Sequence, residues 1–146
     1  MNFERLSFLR EDNDLSQSEM GKILNINRVS ISNWEHGKEI IPLKKLNEYS
    51  NYFGVSIDYL LNLTDEKNYS NEVNIQTIDK SNVGSNIKIV REKNNISQNK
   101  LSKFLNTTSS TVSAYESGKT LILTSFAYQI CKEFNVSMDW LCGKIK

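Results

Sequence analysis

Side chains able to do covalent chemistry are few in this sequence, and they are not grouped. His36 is the single histidine, which leaves no material for an imidazole metal cluster. Cys131 and Cys142 lie in the second half only. Their counterparts in the first half, Ser50 and Leu61, cannot form a matching pair, so small buried thiols are expected, with no metal site and no disulfide. No nucleophile, base and orienting group stand together, and there is no glycine-rich phosphate loop. An enzyme is therefore not expected, and no cofactor is implied. The chemistry on offer is charge and hydrogen bonding, and it recurs.

The recurrence has an unbroken offset of 81 residues. Arg10, Glu11, Asn13, Ser16, Gln17, Leu24, Ser32, Glu35, Gly37 and Lys38 return as Arg91, Glu92, Asn94, Ser97, Gln98, Leu105, Ser113, Glu116, Gly118 and Lys119. Phe53, Val55, Ser56, Asp58 and Leu60 return as Phe134, Val136, Ser137, Asp139 and Leu141. A repeat this long, present twice, indicates a duplicated globular domain and not a stacked array. The 146 residues thus divide into an expected first domain at 1–63, a linker at 64–82 and a second domain at 83–146. Each domain is near the lower size limit for an independent core. No apolar run approaches the roughly 20 residues that a membrane crossing needs, and the opening MNFERLSFLRED lacks the pattern of a signal peptide. A cytoplasmic protein with no membrane association is expected.

The elements that must position the recurring residues read as short helices. Phe3, Leu6, Leu9 and Arg10 form a helical stripe that ends near Asp12, Asn13 and Asp14. Ser16 and Glu19 have the spacing of a capping box, predicting a second helix through Met20, Ile23 and Leu24. Asn25 and Asn106 are placed to turn the chain in a left-handed conformation. A third helix is expected after Asn27 or Thr108. It buries Ile31 and Trp34 in one copy, Val112 and Tyr115 in the other, and ends at Gly37 or Gly118. Pro42 reads as the first-turn residue of a fourth helix ending near Gly54, with Leu123 in its place in the second copy. Ser56 and Ser137 cap a fifth helix, with Asp58 and Asp139 in the first turn. The fold class is all-α, two tandem five-helix domains. The stretch 64–82 is polar, with Val73, Ile75 and Ile78 as its apolar residues and a short strand through Val73–Gln76 as a minor alternative.

Two short helices joined by a tight turn, with polar residues on the outer face of the second, let one helix enter a DNA major groove while the other braces the backbone. LSQSEMGKILNINRVSISNWEHGK and ISQNKLSKFLNTTSSTVSAYESGK, together with the endings VSIDYLLN and VSMDWLCG, resemble the Cro/CI-type (XRE-like, lambda-repressor-like) helix-turn-helix family. The resemblance spans nearly all of 3–62 and 84–143. It implies double-stranded DNA as partner and groove-facing positions at Asn27, Arg28, Val29, Ser32 and Asn33, then at Thr108, Ser109, Ser110, Ser113 and Ala114. By the same resemblance Gln17 and Gln98 touch the DNA backbone or an outer base, and Lys38 and Lys119 lie near phosphate. It also implies partly buried ion pairs, Arg10 with Glu35 and Arg91 with Glu116.

The residue chemistry suits the first copy best. Arginine can pair with guanine O6 and N7, asparagine with adenine N6 and N7, and Val29 can pack on a thymine methyl. The second copy offers short hydroxyls that bond to phosphate or to several bases, and Ala114 offers apolar contact only. Lys88, Arg91, Lys93, Lys100, Lys103 and Lys119 are among the residues that supply it with positive charge. Charge is split unevenly: residues 1–66 carry a net −4 and residues 82–146 a net +5, within a total of +1. The second half thus has the stronger sequence-independent attraction to phosphate. His36 is expected to be a solvated turn residue.

A transcriptional regulator, a repressor of phage or mobile-element kind, is the leading expectation. The alternative is a protein-binding inhibitor or antitoxin-like factor whose acidic first domain meets a protein partner while the other autoregulates. A homodimer is also left open, as no long heptad seam settles the oligomeric state. A flexible linker of about 15–19 residues would reach roughly 20–25 Å root-mean-square, enough to carry two readers to neighbouring sites.

Overall fold

The computed structural model describes residues 1–69 and 77–145. The alternative strand at Val73–Gln76 lies outside the described residues. Two compact units are present, Met1–Ser70 and Asn71–Lys146, and the fold is all-α. The first unit holds α1 (Glu4–Asp12), α2 (Gln17–Ile23), α3 (Arg28–Glu35), α4 (Leu43–Phe53) and α5 (Ile57–Leu60). The second holds α6 (Lys80–Lys93), α7 (Gln98–Phe104), α8 (Ser109–Glu116), α9 (Thr124–Phe134) and α10 (Met138–Leu141).

Local chemistry sets the helix boundaries. The Ser16 hydroxyl accepts from the Glu19 amide at 3.1 Å while the Glu19 carboxylate accepts from the Ser16 amide at 2.7 Å, completing the capping box of α2. These bonds hold the Glu19 carboxyl below its ordinary range, the Ser16 amide being the larger cause. In α7 Ser97 caps alone, because Lys100 occupies the position of Glu19. Asn25 and Asn106 take φ of 53° and 56°, the left-handed turns expected of them. Ser56 and Ser137 cap α5 and α10. Pro42 is the residue before α4 rather than its first-turn residue, and Leu123 adopts nearly the same backbone there, φ −64° against −60°. Proline's ring is therefore not required for that conformation.

Each core is assembled from the inner stripe of all five helices. Leu6, Met20, Leu24, Ile31, Trp34, Leu46, Tyr49, Ile57 and Leu60 are buried in the first unit, and Ile87, Leu101, Leu105, Val112, Tyr115, Ala127, Ile130, Met138 and Leu141 in the second. Two residues of the expected stripe depart from it. Ile23 is exposed and Leu9 only half-buried, because α2 ends at Ile23 and α1 turns Leu6 and Arg10 inward instead. Tyr49 ties α4 to α1 by donating its hydroxyl to the Leu6 carbonyl, and burial pushes its phenol well above the usual range.

The stretch expected as linker is structured at both ends. Arg5 donates to the carbonyls of Tyr59 at 2.8 Å and Thr64 at 2.5 Å and pairs with Asp65, the Lys67 carbonyl accepts from the Ser56 amide, and the Tyr69 hydroxyl donates to Asp58 at 2.8 Å. Residues 64–69 thus belong to the first unit. At the other end Asp79 caps α6, so Lys80, Ser81 and Asn82 are already helical. Sequence polarity hid both facts: backbone bonds need no apolar residue, and α6 opens with the exposed polar residues Lys80, Ser81 and Asn82 ahead of the buried Val83 and Gly84.

Candidate nucleic-acid interface

In α3 the spacing of Ile31 and Trp34 commits one face to the core, which turns the opposite face out. Arg28 and Val29 are exposed at its start, Val29 by 60%, with Ser32 and Asn33 half-buried behind them. Asn27 is the cap, its Oδ1 accepting from the Ser30 amide at 2.8 Å, which leaves its amide hydrogens as donors. His36 sits one turn beyond Ser32 on the same face, exposed, with Nδ1–H donating to the Ser32 carbonyl at 2.8 Å. Lys38 is exposed after the turn.

The second unit repeats this geometry with smaller side chains. The Thr108 hydroxyl caps α8 through the Thr111 amide at 3.2 Å, and Ser109, Ser110 and Ser113 are exposed. Gln98, Ser109, Ser110, Ser113, Ala114, Ser117 and Lys119 line one open hollow of about 360 Å³. Every residue expected at this interface except Thr108 therefore lines a single concavity.

Behind each outward face lies the same ion-pair network. Arg10 Nε donates to Glu35 Oε1 at 2.5 Å and Nη2 to Oε2 at 3.1 Å, while Nη1 reaches the Leu15 carbonyl at 2.8 Å. Arg91 makes the matching bonds to Glu116 at 2.5 and 3.3 Å and to the Ile96 carbonyl at 3.0 Å. Both guanidinium groups titrate above their ordinary value, chiefly through the carboxylate bond and against the opposing cost of burial. The carboxylates are only 5% exposed. Each bridge locks the first helix, the turn before the second, and the end of the third into one body.

Gln17 and Gln98 join this network, which sequence reasoning missed. Gln17 Nε2 donates to Glu35 Oε2 at 3.0 Å, and Gln98 Nε2 to Glu116 Oε2 at 2.7 Å. One amide hydrogen of each glutamine is thus used inside the protein, leaving the second for any external acceptor. The signal was present in the shared recurrence of Arg, Gln and Glu at one offset. Two of the cations counted for the second copy are differently employed: Arg91 is committed to Glu116, and Lys93 lines a separate hollow with Ile89, Phe134 and Trp140.

A family described as a helix-turn-helix domain matches residues 3–66, and one described as helix-turn-helix matches residues 87–141. The chain carries two helix-turn-helix domains of the XRE/Cro-like type in tandem. Helix-turn-helix domains of this kind are DNA-binding regulatory domains and not enzymes. Among curated relatives, the HTH-type transcriptional activator BcrR of Enterococcus faecalis is 38% identical over 58 residues, 40% of this chain. The match spans 28% of that relative's length. In this tandem helix-turn-helix protein α2–α3 and α7–α8 are the paired helices, and α3 and α8 occupy the recognition position. Among the described residues, no helix is long and apolar enough to cross a membrane.

Proposed function

We propose that this chain is a sequence-specific double-stranded DNA-binding transcriptional regulator, a repressor of phage or mobile-element type acting in the cytoplasm. One observation carries the reading: α3 buries Ile31 and Trp34 and leaves Arg28 and Val29 exposed at the helix start, the part that meets base edges in this class of docking. Arg28 and Asn33 are the expected base readers, Val29 the methyl contact, and Lys38 a phosphate contact. Gln17 and Asn27 complete the first interface. In the second domain Gln98, Thr108, Ser109, Ser110, Ser113 and Lys119 contribute backbone-weighted contacts. Selecting duplexes from a random pool with the full chain, then with Arg28→Ala and Asn33→Ala, tests this. Base preferences unchanged by both substitutions would remove these residues from the readout.

The two domains are proposed to bind as a joined pair. Fully extended, the chain between Tyr69 and Lys80 reaches at most roughly 35–40 Å, close to one helical turn of DNA. Covalent joining raises the local concentration of the second reader without adding a contact. Because Arg28 and Asn33 are replaced by Ser109 and Ala114 at the corresponding repeat positions, a single chain using both domains favours an asymmetric site, while a homodimer using one domain per chain favours a palindrome. Footprinting with a mass measurement of the complex separates them.

The acidic charge of residues 1–66 and the exposed Phe8 and Tyr52 favour a second reading, in which the first domain meets a protein partner as an inhibitor or antitoxin-like factor. That reading expects DNA affinity to be insensitive to Arg28→Ala and sensitive to Lys119→Gln.

A further inference from the structure

We propose that the first turn of α6 is an additional phosphate-binding element of the second domain, with Lys80 as its contact. The inference rests on the reading that the second domain binds DNA. In repeat register the counterpart of Glu4, where α1 begins, is Ser85, yet α6 begins at Lys80. The extra turn is seated on the recognition helix. Lys80, Gly84, Ile87 and Arg91 follow one helical stripe, and at Gly84 an added Cβ would overlap the Tyr115 carbonyl and stand 2.8 Å from the Glu116 carbonyl. Only glycine permits this approach. One residue along, Ser81 covers the turn that leaves α8: a Cβ on Gly118 would lie 2.6 Å from the Ser81 hydroxyl. Gly118 is consequently buried, whereas its counterpart Gly37 is exposed.

This seating carries the Lys80 ammonium to the edge of the interface. Its Nζ donates to the Lys119 carbonyl at 3.2 Å, and Lys119 lines the hollow that holds Gln98, Ser109, Ser110 and Ser113. An ammonium has three donors and this bond uses one. Both lysines are exposed. The acids nearby are engaged elsewhere: Asp79 accepts from the Ser81 amide at 2.8 Å, and Glu116 from Arg91 and Gln98. Two cations at one edge, beside hydroxyls that read sequence weakly, suit a DNA phosphate rather than a base edge.

The experiment measures affinity of the full chain against salt concentration, using a duplex that the chain selects from a random pool and a scrambled duplex. Lys80→Gln is expected to lower the log–log salt slope by about 0.9 and to weaken both duplexes equally, with Lys80→Arg restoring the slope. Lys93→Gln, beside Phe134 and Trp140, should leave the slope unchanged. A Lys80→Gln slope equal to wild type, with Lys119→Gln lowering it, overturns the inference while the DNA-binding reading of this domain stands. An unchanged slope with a reduced melting temperature assigns Lys80 to holding the turn alone and also overturns it. If Lys80→Gln, Lys119→Gln and the paired Ser109→Ala, Ser113→Ala all leave binding intact, the reading of the second domain falls with it.

Discussion

The two domains share one internal skeleton and differ at the surface above it. Arg10, Gln17 and Glu35 in the first are matched bond for bond by Arg91, Gln98 and Glu116 in the second. Where α1 meets the turn after the recognition helix, the domains part. Phe3 fills that space with a ring lying beside Gly37, while in the second domain Gly84 stands at the same register position and the helix backbone itself moves in. A large side chain and a close backbone approach are alternative ways to fill one volume, and the choice decides whether another helical turn can be seated there. The ion-pair network is constant between the two copies, and the surface above it varies.

The largest expected effect tests the shared skeleton. Glu35→Gln and Glu116→Gln each remove the carboxylate partner of a partly buried guanidinium, and each domain should lose more than the ~1 kcal/mol of an exposed pair, up to roughly 3–5 kcal/mol, in chemical denaturation. A loss in one domain only would break the equivalence of the two bridges. Next come the glycines. Gly84→Ala should cost the second domain about 1–3 kcal/mol, through overlap with the Tyr115 and Glu116 carbonyls. Gly21→Ser should act similarly on the first, where a Cβ would lie 2.7 Å from the Ile26 carbonyl, although Ser102 is the natural residue at that position of the second. Thermal melting resolves both, and tolerance of Gly21→Ser would show that the two turns are interchangeable.

Of the same order, but read in DNA binding, Arg28→Ala and Asn33→Ala should each remove about 1–3 kcal/mol of discrimination at one base pair. The reverse exchange, Ala114→Asn, should sharpen base preference in the second domain. Equal preferences before and after, by site selection, would detach reading strength from these positions. The smallest effect is acidic. The Glu19 carboxyl is held below its ordinary value of 4.5 by the Ser16 amide, so its capping contribution is fully present above that pH and is lost as pH falls through the lower folded value. Glu19→Gln should therefore differ from wild type near neutrality and converge with it in acid. Lys100→Gln in the second domain should show no such convergence.

Much of the fold was legible because its determinants are local. Ser16, Asn25, Asn27 and Ser56 each act on backbone groups within a few residues, and their partners stand at fixed spacing along the chain. The ends of the connecting stretch were not legible. Lys67 reaches Ser56 through its carbonyl, an atom every residue has, and α6 starts with Lys80, Ser81 and Asn82, exposed polar residues that carry no apolar signal ahead of the buried Val83 and Gly84. The candidate interface was legible as a set of positions, from the helical stripe opposite Ile31 and Trp34, and from resemblance. The inward bond of the glutamines was not, since Gln17 and Glu35 lie on different helices and only packing brings them together.

The sequence by itself determined the duplication, the all-α class, the caps and turns, and which face of each recognition helix is apolar, because hydrophobic periodicity and side-chain capping operate over one or two helical turns. Tertiary structure decided what happens between helices: that one carboxylate serves both an arginine and a glutamine, that residues 64–69 fold back onto the first domain, and that α6 lays Lys80 beside Lys119. Those outcomes depend on distances between chain segments far apart in sequence. Such distances are set by how closely two helices can approach, and at Gly84 that limit is the absence of a single carbon atom.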